Sequence, residues 1–153
     1  MDIMIENTPA YRIAYIRQIG PYGINNVHTM EELKRWAKMN NLLNDGSIIL
    51  GIAQDNPETT KPEDCRYDTC LVVSNDYSVT RGGGEVIEGN IAGGKYAVFK
   101  IHHTAEAVQQ AWIDIFPDLL IRGYQVDESR PIMERYITHM VNNHHCEICV
   151  PVY

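Results

Sequence analysis

The strongest constraint on how this chain can fold is a succession of strand and helix signals that occurs twice. In the first half, Tyr11, Ile13, Tyr15 and Ile19 share one parity of a nine-residue run, as a half-buried strand requires. Gly20-Pro21-Tyr22-Gly23 ends that run. Thr29 with Glu32 three residues on reads as a capping box, opening a helix whose apolar stripe is Met30, Leu33, Trp36 and Ala37. Two further strands, Ser47 to Ile52 and Arg66 to Val73, flank a loop over Asp55 to Pro62 whose prolines and short polar residues oppose regular structure. The order is β-α-β-β.

The second half repeats it. Lys95 to Ile101 reads as a strand, and Thr104 begins a helix with the stripe Val108, Ala111, Trp112, Ile115, Phe116 and Leu119. Pro117 falls inside that stripe and is expected to kink or shorten the helix. Pro131 to Ile137 and His145 to Val152 are the closing strands. Between the halves lie a short strand candidate, Glu85 to Ile91, and the glycine runs Gly82–Gly84 and Gly93–Gly94, which read as a hinge.

The halves also agree in detail, because Asp68-Thr69-Cys70-Leu71 and Glu147-Ile148-Cys149-Val150 occupy the same place in the last strand of each unit. The expectation is one soluble α+β domain over residues 1–153, with internal repeats at about 8–75 and 85–153. Tandem β-α-β-β units related by a pseudo-twofold axis would leave a ligand cleft between them.

Composition narrows the function. No apolar run approaches the roughly 20 residues that cross a bilayer, and the first residues lack a basic start and a long apolar stretch, so a cytoplasmic protein without membrane contact is expected. The formal charge is −7, with 13 scattered Lys and Arg against 20 acids, which opposes direct nucleic-acid binding and favours cationic ligands. Four cysteines, Cys65, Cys70, Cys146 and Cys149, are expected as reduced thiols.

Glu147 is the leading candidate site residue. Cys146, Ile148, Val150 and Val152 fall on one strand face, so Glu147 should point the other way, into the groove. A carboxylate there could pair with a cation, or act as a general acid/base, or simply be a solvated surface acid. Asp68 joins it through the internal repeat. Trp36 is expected in the core, whereas Trp112 could roof a cavity, and the nine tyrosines supply flat walls with polar tips. The tract His144-His145-Cys146-Glu147-Ile148-Cys149 suggests metal, but residues three apart on a strand face opposite ways, so no metal site is expected. Neither glycine run has the strand-to-helix context of a phosphate loop, and no cofactor is expected.

A set of short segments then points to a family. They are Tyr15-Ile16-Arg17-Gln18-Ile19-Gly20-Pro21-Tyr22, Asp55-Asn56-Pro57, Arg66-Tyr67-Asp68, Gly93-Gly94-Lys95-Tyr96-Ala97-Val98-Phe99, Ala111-Trp112, Arg130-Pro131, Glu134-Arg135-Tyr136 and Glu147-Ile148-Cys149-Val150-Pro151-Val152. In order and spacing they resemble the GyrI-like small-molecule-binding family, which includes effector-binding domains of AraC-type and MerR-type multidrug regulators. The resemblance implies a free-standing sensing or sequestering module that binds an aromatic or cationic small molecule. It implies Glu147 in the cleft, Trp112 as an aromatic wall and Tyr96 beside them. It also implies two alternatives: a hydrolase of cyclopropane-containing toxins with Glu147 as its catalytic acid, or a partner of DNA gyrase or of a separate DNA-binding protein.

Overall fold

The structure is a computed structural model that describes residues 2–79 and 85–153. Its elements are β1 (Ile3–Thr8), β2 (Tyr11–Ile19), α1 (Ile24–Met39), β3 (Ile48–Ala53), β4 (Arg66–Val73), β5 (Ile87–Ile91), β6 (Gly94–His102), α2 (Ala105–Ile121), β7 (Met133–Ile137), α3 (Thr138–Asn142) and β8 (His145–Pro151). The strands form one antiparallel sheet in the order β1-β6-β8-β7-β3-β4-β2-β5. Exchanging β1 with β5, β2 with β6, β3 with β7 and β4 with β8 turns that order into its own reverse. Each β-α-β-β unit is thus a strand triplet with one helix, and the triplets meet where β3 pairs with β7.

Two additions, β1 and α3, go beyond the sequence expectation, while the expected short strand before the second half is β5. A strand thus precedes each unit and pairs with the other one, β1 with β6 and β5 with β2, so the halves are laced at both edges as well as at the centre. β1 shows no clean alternation because it is an edge strand, with Met4 and Ile5 exposed. The helix α3 is a single short turn between β7 and β8.

Both long helices cover one face of the sheet. On α1, Leu33 and Ala37 pack with Ala14, Ile16, Ile49 and Leu71. On α2, Ala111, Ile115 and Leu119 pack with Ala97, Phe99, Ile148 and Val150. The opposite, inner face holds Tyr11, Leu50, Cys70, Tyr96, Val98, Met133 and Cys149, all buried although no helix contributes to that cluster. The sheet must curl on itself to exclude water there. Cys146 and Cys149 fall in the outer and inner clusters respectively, as alternation along a strand dictates.

Three local expectations change. The first helix begins at Ile24 rather than Thr29, whose hydroxyl donates instead to the Asn25 carbonyl at 2.9 Å. Gly20 and Gly23, at φ of 143° and 138°, turn the chain straight into the helix before the capping box is reached. Pro117 does not shorten α2, which runs on to Ile121 from a cap where Thr104 Oγ1 accepts from the Ala107 N–H at 3.1 Å. Pro117 lies on the exposed side, where water can take the hydrogen bond left open by its missing N–H. Gly93 and Gly94 lie at the entry to β6, where a Cβ on Gly93 would strike the backbone of Thr8 and Ala10. The run Gly82–Gly84 lies outside the described residues.

One guanidinium ties the inner face to its edge. Arg135 on β7 donates through Nε to Glu147 at 2.9 Å, through Nη1 and Nη2 to Glu6 of β1 at 2.9 and 3.2 Å, and through Nη1 to the Tyr11 hydroxyl at 3.3 Å. Only 5% of its side chain is exposed. Removing one partner of such a buried pair leaves the other charge uncompensated, so Arg135→Met should cost about 3 to 5 kcal/mol in urea unfolding. Adding Glu147→Leu to that variant should recover part of the loss. The acid limb follows the same contacts. Hydrogen bonds from Arg135 hold the Glu6 carboxyl below its usual 4.5. Those from Arg66 bring Asp55 to about 2, and those from Ser129 bring Asp127 to about 2. A carboxyl with a lowered folded pKa stabilises above its unfolded value and ceases to do so as pH falls through the folded one. Thermal midpoints measured against pH should therefore decline from about pH 4.5 down to about 2.

Candidate functional site

The seam between β3 and β7 runs between the two helices, because α1 packs over β2 and β4 while α2 packs over β6. Along this seam Gly51 stands opposite Glu134, and Ile49 stands opposite Tyr136. Strand alternation aims these residues at the helix face. Gly51 has no side chain, and the Tyr67 ring from β4 leans into that space: a Cβ on Gly51 would collide with the Tyr67 hydroxyl and lie 3.8 Å from the Glu134 Cβ. A glycine inside a strand here serves close approach.

Around the glycine gather one acid and several rings. Glu134 is half-buried and accepts a short hydrogen bond from the Tyr136 hydroxyl. His103, at the turn into α2, meets Tyr136 edge-on at 5.6 Å between ring centroids. Tyr22 meets Tyr67 in the same manner at 6.0 Å. With Asn26, Met30, Glu31 and Lys34 of α1, Tyr67, His103 and Tyr136 line a hollow of about 370 Å³, the size of a small-molecule site, and Glu134 stands behind the Tyr136 hydroxyl. Burial first, and then the charge of Glu134, raise both the Tyr67 and the Tyr136 phenols above their ordinary range. Both phenols stay protonated at neutral pH, as neutral walls that can donate. Among the described residues Glu134 has no ion pair.

A second, wider hollow of about 1070 Å³ opens on the inner face, where Ile13, Ile52, Cys70 and Ile91 line it and Arg17, Asp68, Phe116 and Arg130 border it. Most of its charges are paired, although Glu128 at its edge has no ion pair among the described residues and the Arg130 Nη1 is buried without a hydrogen-bond partner. Arg17 holds Asp68 through two bonds of 2.8 Å, Gln54 adds a third at 3.0 Å, and Arg130 pairs with Asp127 at 3.0 Å.

The four residues singled out from sequence are distributed rather than gathered. Glu147 points away from the helices onto the inner face, where it is 8% exposed and bonded to Arg135. Asp68 lies on that same face, 4% exposed, at the edge of the wider hollow. Tyr96 is fully buried, its hydroxyl donating to the Ala92 carbonyl at 3.3 Å and its ring 4.8 Å from the Arg130 guanidinium. Trp112 is on the helix face, half-buried beside Phe116 and packed against the cluster that also reaches Tyr136. Sequence reading passed over Tyr67, His103, Glu134 and Tyr136. The signal was present: Glu134 and Tyr136 share a parity on a strand, and Gly51 interrupts another.

The whole architecture, a curled eight-stranded sheet of two related halves with helices on one face, matches a known one. The GyrI-like small molecule binding domain aligns with residues 1–153 of this chain. The chain belongs to that family. Among GyrI-like relatives, the SPbeta prophage-derived protein YosT of Bacillus subtilis (strain 168), named as a candidate transcriptional regulator, is 42% identical over 153 residues, 99% of each chain. The EcmrR C-terminal domain superposes with a TM-score of 0.75 at 15% identity, over 99% of this chain and 97% of that one. SAV2435, solved bound to tetraphenylphosphonium, superposes with a TM-score of 0.60 at 17% identity, over 100% of this chain and 94% of that one. This GyrI-like domain is therefore related to a protein named as a candidate transcriptional regulator, and no helix among its described residues is long and apolar enough to cross a membrane.

The gap at Gly51 gives the GyrI-like cleft a direct test. Gly51→Ala should displace the Tyr67 hydroxyl and cost about 1 to 3 kcal/mol through overpacking. Urea unfolding reads the cost and a crystal structure of the variant reads the ring. An unmoved Tyr67 with unchanged stability would contradict the described geometry.

Proposed function

We propose that this chain binds an aromatic or lipophilic cation in the seam cleft, as a sensing or sequestering module, with Glu134 as counter-charge and Tyr67, Tyr136 and His103 as walls. The observation that carries this reading is the state of Glu134. It is a half-buried carboxylate with a tyrosine hydroxyl as its hydrogen-bond donor and no ion pair among the described residues. The buried acids of the inner face, by contrast, each have an arginine. A cation seated among the ring faces would gain both the Coulomb attraction of Glu134 and cation–π contacts. The net charge of −7 favours approach of such a ligand. The likeness to SAV2435, whose structure holds tetraphenylphosphonium, and to YosT, named as a candidate regulator, agrees with this reading.

Isothermal titration with tetraphenylphosphonium tests it. Glu134→Gln, which keeps the shape and removes the charge, should weaken binding at least tenfold, about 1.4 kcal/mol. Glu147→Gln should lower stability through Arg135 and leave affinity within about twofold. Equal affinity in Glu134→Gln and wild type, or loss of binding in Glu147→Gln alone, would move the anchor off the seam.

A further inference from the structure

The helix α2 is apolar on two sides. One side, Ala111, Ile115 and Leu119, is buried on the sheet. The other carries Ile113, Phe116, Leu120 and Ile121, which are 67%, 38%, 78% and 84% exposed. Their spacing of three, four and one places them on a single arc opposite the buried one. A helix that is apolar all round belongs between two packed surfaces, yet only one is supplied by this chain.

We propose that this outer arc of α2 is the two-fold contact between two copies of the chain. Area and charge both favour a second copy. The four side chains expose about 450 Å² of apolar surface, at the scale of the largest patch on a typical monomer. Facing their own equivalents they would remove about 900 Å², and a polar rim brings this to the roughly 1,000 Å² at which specific interfaces begin. A chain of charge −7 resists self-association wherever acids would oppose acids. The centre of this arc has no ionisable side chain, and Gln109 and Gln110 continue it toward the helix start. Of the acids near it, Asp118 pairs with Arg122 at 2.9 Å and Asp114 accepts from the Gln110 amide at 3.0 Å, while Glu106 lies beyond the two glutamines in the first turn of the helix. An isologous pairing of α2 with α2 therefore brings apolar surface to apolar surface at its middle. Phe116 also borders the wider hollow, so the partner's helix would lie near the mouth of that space.

Sedimentation equilibrium of the full chain, from about 1 to about 200 μM, decides the matter. The expected result is a monomer–dimer equilibrium that tightens or holds as salt rises, because salt screens the repulsion between acidic copies. Leu120→Glu enters a two-fold interface twice and should raise the dissociation constant by about 100-fold or more. Leu120 is exposed, so this variant should fold normally, with a circular dichroism melt like that of wild type. Ile87→Glu, on the far edge strand and 48% exposed in wild type, should leave the equilibrium unchanged. A wild-type monomer at every concentration would overturn the proposal, as would a Leu120→Glu variant that dimerises like wild type. So would a wild-type monomer that sediments with phospholipid vesicles through the same residues.

Discussion

The pairing of β3 with β7 is the contact on which the rest of this molecule depends. It joins two strand triplets that each have a helix and a buried layer of their own, and it does so with four register pairs, from Ile48 with Ile137 to Gly51 with Glu134. Neither helix covers the join, because each is committed to the strands of its own triplet. An uncovered seam in a sheet buried elsewhere is a groove by construction. Its depth at the centre follows from one residue, Gly51, and its walls from the rings that adjoining strands and loops can reach across it. The exchanged edge strands matter for the same reason. By pairing β1 with β6 and β5 with β2, each half holds the other at its far edge, so the seam need not be closed by side chains to stay together.

Much of this plan was legible in the sequence, and the reasons differ by element. Strands β2, β4 and β8 announced themselves because buried strands of this composition show runs of β-branched and aromatic residues between strong turn signals. The repeated order of elements exposed the two units, and the parity of Cys146, Ile148, Val150 and Val152 placed the helix-packed face of β8. β1 was invisible for a physical reason, since an edge strand with exposed Met4 and Ile5 has no alternation to display. The start of α1 was misjudged because a Thr-x-x-Glu pattern is also compatible with the middle of a helix, where Thr29 bonds back to Asn25.

The site was less legible than the fold. Pattern alone could say that Glu147 turns away from the helices, but it could not say that each face of the sheet would carry a hollow, one on the helix side of the seam and a wider one on the curled interior. Whether the helix side holds a hollow depends on how the helices are spaced, and spacing is a tertiary property. The resemblance segment Glu134-Arg135-Tyr136 did not reveal that its side chains divide between the two faces, because three consecutive polar or amphipathic residues on a central strand read as ordinary until both faces are known. On that strand Glu134 and Tyr136 face the cleft while Arg135 faces inward.

That alternation separates two kinds of acid. Asp68 and Glu147 occupy equivalent places in β4 and β8, and each is nearly excluded from water. A buried carboxylate survives there only if a cation compensates its lost hydration. Arg17 does so for Asp68 and Arg135 for Glu147, with two and one hydrogen bonds respectively. Glu134 differs in being half-buried and in having a tyrosine hydroxyl rather than an arginine as its partner. Its tyrosine donor can orient the carboxylate without neutralising it. Uncompensated charge is costly to maintain in a dry core but tolerable where water can enter. What distinguishes these acids is therefore the partner already present, and not the place in the repeat.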